Sequence, residues 1–263
     1  MPSVRIGVDT GGTFTDVVLV DDETGQIITT KTPSTPADPA EGFMAAVHKV
    51  LEAYGGSCDI GAVAAIVHGT TVATNLLLQE RPEGMSHLGF ITTEGFEFIL
   101  EIARQSVPDG YGNSYFWVKP PRIVPVHRVK TVGGRLDHLG REVRPFDEEE
   151  AVRVARWFKE RGITAIGVCF LHSYANPEHE RRMREVLARE HPEAVVSISS
   201  DVLREYREYE RSVTTLVDAA VKPVIRQYIG NLTERLGRGF SVMKSNGGIL
   251  SAAEVVHQPI ATV

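Results

Sequence analysis

Cysteine is nearly absent: Cys58 and Cys169 are the only two among 263 residues, far apart and outside any metal-ligand spacing. That excludes a disulfide framework and a cysteine-based zinc site, and both thiols are read as buried or half-buried and non-catalytic. Aromatic residues amount to 7% and are scattered, which leaves no stacking platform for single-stranded nucleic acid. Basic charge is not in surplus either. With 28 Lys and Arg against 34 Asp and Glu, the formal net charge is −6, and no basic patch suggests nucleic acid or an anionic membrane surface as a partner. No run reaches the roughly 18 apolar residues of a membrane span, and no basic-then-apolar segment opens the chain, so the expected compartment is the cytoplasm. Several catalytic signatures are missing as well. Without Gly-x-x-x-x-Gly-Lys-Ser/Thr, Gly-x-Gly-x-x-Gly after a strand, Gly-x-Ser-x-Gly or His-Glu-x-x-His, the chain is no P-loop NTPase, dinucleotide-binding protein, α/β-hydrolase or zincin. There is no internal repeat and no low-complexity tract.

What is present is a soluble-enzyme composition, 42% hydrophobic and 24% charged, with enough length for one large core or two smaller ones. The most informative stretch is Gly7-Val8-Asp9-Thr10-Gly11-Gly12-Thr13-Phe14-Thr15-Asp16. Apolar runs flank an acid, two glycines and threonines, the pattern of strand, tight turn, strand. Glycines there permit positive φ and a close ligand approach, and successive N–H groups of such a turn can cradle a phosphate. Asp9 at the strand end suits a magnesium ion held through water, and Thr13 and Thr15 add hydroxyls. The same residues also suit an ordinary hairpin, with Gly11-Gly12 serving only turn geometry.

In order, strands are expected at 4–9, 14–20 and 26–31 as an antiparallel meander, then a helix at 40–54 stopped by Gly55-Gly56. Residues 62–67 read as a strand buried inside a parallel sheet. A strand at 87–91 and a short helix at 95–102 follow. Five prolines between 104 and 146 mark a long excursion, a lid or subunit contact, with one hairpin in 128–143. Asp147 caps a helix to about 161, with Glu150 at the capping-box position. Strands at 165–171 and 194–198 flank a charged helix at 177–189, and a long amphipathic helix starts at Glu208 with a kink or break expected at Pro223. The expected organisation is a first lobe over 1–199 and the beginning of a second over 200–263.

Other motifs carry two readings each. His68-Gly69-Thr70-Thr71, with Asn75 one turn on, lies where a strand hands over to a helix: a second wall of an anion site, or a plain threonine cap with His68 in the core. Arg104 suits a phosphate or a carboxylate, or is a surface arginine at a helix end. His172, Tyr174, Glu208 and Arg211 read as a structural polar cluster. Asn246-Gly247-Gly248 after a strand is a ligand loop or a hairpin turn.

Taken together, Asp-Thr-Gly-Gly-Thr-Phe-Thr-Asp, His-Gly-Thr-Thr-Val-Ala-Thr-Asn, Leu-His-Ser-Tyr, Glu-Tyr-Glu-Arg and Ser-Asn-Gly-Gly resemble, in this order, the motifs of the hydantoinase A and 5-oxoprolinase family. That family also includes acetone and acetophenone carboxylase subunits and belongs to the actin-like ATPase superfamily. The resemblance implies an α/β fold, a ribonuclease H-like lobe of actin or sugar-kinase type with a mixed sheet. It implies ATP and Mg2+ as cofactors, with Thr10, Gly11, Gly12, Thr13 and Thr15 on the phosphates, Asp9 on the metal, and Asp9, Asp16 and Arg104 catalytic. His68, Gly69, Thr70, Thr71, Asn75, Asn246, Gly247 and Gly248 would border the substrate and nucleotide cleft. The implied activity is phosphorylation of the carbonyl oxygen of a cyclic amide or imide (hydantoin, oxoproline or lactam) for ring-opening hydrolysis, with a hydantoinase B-like subunit or domain as partner. Ketone carboxylation and a non-catalytic activator module are the alternatives. Because Asp-x-Gly-Gly occurs once, the 263 residues are expected to be a truncated piece, inactive by itself.

Overall fold

The computed structural model describes residues 4–55, 59–79, 85, 87–104, 118 and 121–263. Cys58 and most of the first half of the expected excursion lie outside them. The chain divides into two compact units, one formed by residues 1–79 with 221–263, the other by residues 80–220. This is a different division from the expected 1–199 and 200–263. The strand after residue 87 builds a sheet of its own, and the last 43 residues complete the first sheet.

The first unit is a six-stranded mixed sheet. β1 (Val4–Thr10), β2 (Phe14–Asp21) and β3 (Ile27–Pro33) form the antiparallel meander, while β4 (Val63–Thr70) lies parallel to β1 on its other side. β11 (Ser241–Met243) adds in parallel beyond β4, and β12 (Ile249–Ser251) closes the edge antiparallel. β4 is therefore a strand between two parallel neighbours, as its apolar run suggests. On β1 the alternation puts Val4, Ile6 and Val8 inside and Arg5 and Asp9 outside. Helix α1 (Pro39–Ala53) starts at Asp38, whose carboxylate accepts from Ala40 N–H at 3.1 Å, with Pro39 in the first turn where its missing N–H costs nothing. Its Phe43, Ala46, Val47, Val50 and Leu51 face pack into the core.

At the centre of that core stands His68, fully buried. Its Nδ1 lies 3.3 Å from Val8 O and its Nε2 2.7 Å from Tyr228 Oη. A carbonyl can only accept, so Nδ1 carries the proton and Nε2 accepts from the tyrosine hydroxyl. Phe43 packs against the imidazole with ring centroids 4.9 Å apart and planes near perpendicular. Burial holds the imidazole pKa down to about 4, and burial likewise raises the Tyr228 phenol, so both are neutral at neutral pH.

The second unit holds a four-stranded, all-parallel sheet in the order β10 (Val195–Ile198), β9 (Ala165–Cys169), β5 (Leu88–Thr93), β6 (Val129–Val132). β6 means that part of the expected excursion is sheet. The hairpin that follows is β7 (Arg135–Leu136) with β8 (Glu142–Arg144), turning at Asp137 to Gly140. Every residue of β5 and β9 is buried, the signature of strands covered on both faces. Helix α4 (Glu148–Glu160) is capped by Asp147, which accepts from Glu150 N–H at 2.8 Å. The Glu150 carboxylate does not close a capping box, because it accepts from Gly133 N–H at 2.7 Å instead.

Helix α5 (Glu178–Glu190) is charged yet buries one face. Its fully buried Glu180 accepts from Phe170 N–H at 2.9 Å, Ser173 Oγ at 2.8 Å, Ser199 Oγ at 2.6 Å and Ser200 N–H at 2.8 Å. The short helices α2 (Val72–Gln79), α3 (Ile99–Ile102), α6 (Ser199–Val202) and α8 (Ala252–Val255) complete the set with α7 (Glu208–Leu236), which runs through Pro223 without a break. Among the described residues no helix is long and apolar enough to cross a membrane.

Two stability outcomes follow from the buried polar groups. His68 binds its proton less tightly folded (about 4) than unfolded (6.5), so its contribution is complete above pH 6.5 and lost as pH falls toward 4. That loss amounts to about 3 kcal/mol. Thermal unfolding from pH 7 to 4 should show this component in the parent and not in His68→Gln, and parallel pH curves would contradict it. Glu180→Ala strips four donors of their acceptor and should cost about 3 kcal/mol in chemical denaturation. A loss below about 1 kcal/mol would mean that water replaces the carboxylate.

Candidate functional site

The site is built at the carboxyl ends of β1 and β4, where ligands collect in open α/β sheets. In the β1–β2 hairpin Asp9 stands opposite Asp16 and Thr10 opposite Thr15, leaving Gly11, Gly12 and Thr13 as the loop. Gly11 N–H closes on Phe14 C=O at 3.0 Å. Among the described residues the N–H groups of Gly12 and Thr13 have no partner, so two adjacent donors remain at the tip. Neither glycine is at positive φ, so turn strain does not explain them. Space does: a Cβ on Gly12 would meet only Asn75 Nδ2, at 3.5 Å, and otherwise occupy open approach to the backbone.

Ser34, just past β3, ties the tip down, a role the sequence pattern did not reveal. Its N–H donates to Thr13 O at 2.9 Å, and its hydroxyl donates to Gly11 O at 2.8 Å and lies 3.1 Å from Thr15 Oγ1. Thr15 is accordingly buried structure rather than an open hydroxyl, whereas Thr13 is exposed.

Strand alternation sorts the remaining residues onto two faces. Asp9 and Asp16 share the outer face and are exposed, in a concavity of about 610 Å³ that Gly69 and Met243 also line. Gly69 is Asp9's neighbour in β4, and a Cβ there would lie 3.2 Å from Asp9 Oδ1, so the glycine leaves room for the carboxylate. Lys31 Nζ sits 3.2 Å from Asp16, while Asp9 has no hydrogen-bond or ion-pair partner among the described residues. No group of three or more His, Cys, Asp or Glu able to hold a metal occurs among the described residues. Two carboxylates facing one way suit a magnesium ion that arrives with phosphate and keeps its waters.

On the inner face Thr10 is buried beside a second concavity of about 530 Å³ that Gly12, Asn75 and Tyr228 line. Helix α2 begins there. Thr70 Oγ1 accepts from Val72 N–H at 3.2 Å, Thr71 N–H donates to Thr10 O at 3.3 Å, and Asn75 Nδ2 donates to Thr71 Oγ1 at 3.2 Å. The threonines thus serve as caps and also lock the helix start to the hairpin.

The remaining candidates have other surroundings. His68 is sealed in the core and borders neither concavity, reaching the inner one only through Tyr228. Asn246-Gly247-Gly248 forms the β11–β12 hairpin turn, with Gly247 at φ 87° and its N–H on Lys244 O at 2.9 Å, and it lines neither concavity. Arg104 belongs to the second unit and pairs with Glu210. Arg211 in that unit is buried, donating through Nε to Cys169 Sγ at 3.3 Å and through Nη2 to Phe170 O at 2.5 Å, which joins the start of α7 to the end of β9. Burial raises the Cys169 thiol, in keeping with an inert cysteine, and burial lowers His172.

Residues 5–191 match the model of the hydantoinase/oxoprolinase N-terminal region, and residues 211–263 match the hydantoinase/oxoprolinase model. The caprolactamase subunit alpha of Pseudomonas jessenii is 32% identical over 93% of this chain and 36% of its own length. The acetophenone carboxylase gamma subunit of Aromatoleum aromaticum is 35% identical over 88% of the chain and 33% of its own. A nucleotide-free structure of acetone carboxylase superposes with a TM-score of 0.86 at 27% identity, over 99% of this chain and 39% of that one. The chain therefore spans between a third and two fifths of the length of these relatives. With two family models in sequence over most of its length, and with the mixed α/β fold of its solved relatives, the chain belongs to the hydantoinase/oxoprolinase family.

Proposed function

We propose that this chain is the phosphate-gripping part of an ATP-dependent enzyme that opens a cyclic amide. The observation that carries the reading is Asp9: an exposed, unpaired carboxylate at the end of β1, over Gly69, beside the free N–H groups of Gly12 and Thr13. Those N–H groups would take phosphate oxygens, and Asp9, with Asp16 across the strand pair, would hold Mg2+ through water. The ion supplies charge neutralisation on the phosphates. The protein's own task in phosphoryl transfer is positioning, and the tip that Ser34 ties down supplies it.

In the proposed reaction the amide carbonyl oxygen forms a bond to the γ-phosphorus as the bond to ADP breaks, and the ring nitrogen lone pair moves toward carbon. Water then adds to that carbon and the C–N bond breaks, the nitrogen taking up a proton. A second water releases phosphate from the resulting acyl phosphate. The caprolactamase relative favours a cyclic amide. The carboxylase relatives support a second reading, in which a ketone oxygen is phosphorylated in the same place before carboxylation. The relatives' names as subunits support a partner polypeptide of hydantoinase B type that completes the reaction.

Two variants of the full-length protein test the phosphate site. Asp9→Asn should lower ATP turnover by about 10² to 10³-fold, equivalent to about 2–4 kcal/mol of transition-state stabilisation. It should leave Tm unchanged or slightly raised, because it relieves Asp9 facing Asp16. Parent-rate hydrolysis in that variant would move the phosphate site elsewhere. Gly12→Val should weaken Mg-ATP binding at least tenfold by calorimetric titration while Tm shifts by no more than a few degrees. Equal loss of fold and affinity, or unchanged affinity, would reduce the glycine pair to turn geometry.

A further inference from the structure

The concavity on the inner side of the hairpin tip is separate from the one that Asp9 and Asp16 line, and Thr10, Gly11 and Gly12 form one of its walls. Its volume, about 530 Å³, falls in the range of small-molecule sites. Helix α7 supplies Val224, Gln227, Tyr228 and Asn231, the i, i+3, i+4, i+7 stripe of one helix face, and α2 supplies Asn75. Three carboxamides therefore converge on one space. Those of Gln227 and Asn231 make no hydrogen bond among the described residues, and Asn75 uses only one of its N–H groups, on Thr71. Apolar walls come from Pro36, Ala37, Pro39, Val72, Leu76 and Val224.

The charge pattern narrows the occupant. Among the described residues no Lys, Arg or His lines the space, and the carboxylate there, Asp38, is already committed to Arg235 and to the first turn of α1. Tyr228 is held neutral by burial. A lining of amides, hydroxyls, hydrocarbon and a neutral phenol can desolvate an uncharged polar ring, but among the described residues it carries no cationic side chain to pair with a ligand carboxylate, whose desolvation costs far more. The ring N–H and C=O of a lactam lie on the same side of the amide bond. A primary carboxamide presents its own C=O and N–H in the same way, so the two can exchange two hydrogen bonds edge to edge.

We propose that this concavity binds the substrate, and that the substrate is an uncharged lactam or cyclic imide recognised by the carboxamides of Asn75, Gln227 and Asn231. The inference rests on the phosphate site proposed above, since Gly12 borders both and would bring the ring carbonyl to the phosphate. Gln227 and Asn231 then decide specificity, and a ring bearing a carboxylate, such as an oxoproline, is selected against.

The test measures binding rather than turnover, on the full-length protein with and without Mg-ATP. The probes are δ-valerolactam and the same ring carrying a 2-carboxylate, followed by ligand-observed NMR. The parent should bind the neutral lactam at least tenfold more tightly than the carboxylate. Gln227→Leu/Asn231→Leu should lose at least tenfold of the lactam affinity and keep ATP affinity within twofold. Leucine is a good helix former at these partly exposed positions, so the fold is retained, and Val224→Trp, which fills the space from another position, should abolish lactam binding in the same way. The proposal is overturned if no lactam binds, if both variants bind it as the parent does, if the carboxylate binds equally well, or if adenosine displaces the lactam. Unchanged ATP affinity in Gly12→Val, with the lactam bound by the parent and lost in Gln227→Leu/Asn231→Leu, would count against the phosphate site alone and leave the lactam pocket standing.

Discussion

The parallel pairing of β1 with β4 is the constraint from which the site follows. It sets Asp9 beside Gly69 and Thr10 beside Thr70, while the antiparallel partner sets Asp16 and Thr15 across from them. Three strand ends thereby deliver a carboxylate pair, a gap and a helix start to one place. A register slip of one residue would exchange the two faces, burying Asp9 and exposing Thr10, so the hydrophobic alternation of Val4, Ile6 and Val8 guards the chemistry as well as the core.

The inner face is made unusually polar for a core and yet is neutral. His68 spans the sheet strand and α7 through one accepting and one donating nitrogen, and burial keeps both it and Tyr228 uncharged. That pair fixes the part of α7 that carries Gln227 and Asn231, so a histidine with no access to ligand still positions the residues that would meet one. The outer face has the opposite character, exposed and acidic, suited to a cation and phosphate rather than to a neutral ring. One hairpin thus borders two environments that differ in charge, the outer through Asp9 and Asp16 and the inner through Thr10, Gly11 and Gly12, which suits a reaction between a polyanion and an amide.

In the second unit the buried charges are spent on structure. Glu180 gathers two backbone N–H groups and two serine hydroxyls, and Arg211 holds the end of β9. The Leu-His-Ser-Tyr and Glu-Tyr-Glu-Arg motifs fall in this framework, where Ser173 and Arg211 hold the end of β9.

Local pattern was enough for the elements of this protein. The meander, the α1 face, the Asp147 cap and the buried parallel strand β4 all follow from nearest-neighbour rules, because alternation, caps and glycine stops act within a few residues. The hairpin with its glycines, and the family likeness carried by five short motifs, were equally legible. What the sequence could not determine was which strands share a sheet. β5 reads the same whether it joins β4 or builds a second sheet, and residues 221–263 return to the first unit because β11 finds β4 from some 170 positions away. Tertiary structure alone decided that His68 is core, that Thr15 is tied to Ser34, that Asn246-Gly247-Gly248 is a plain turn, and that Gln227 and Asn231 face the hairpin tip. Each depends on contacts between residues remote in sequence, and burial, the quantity that sets their chemistry, does not exist until those contacts form.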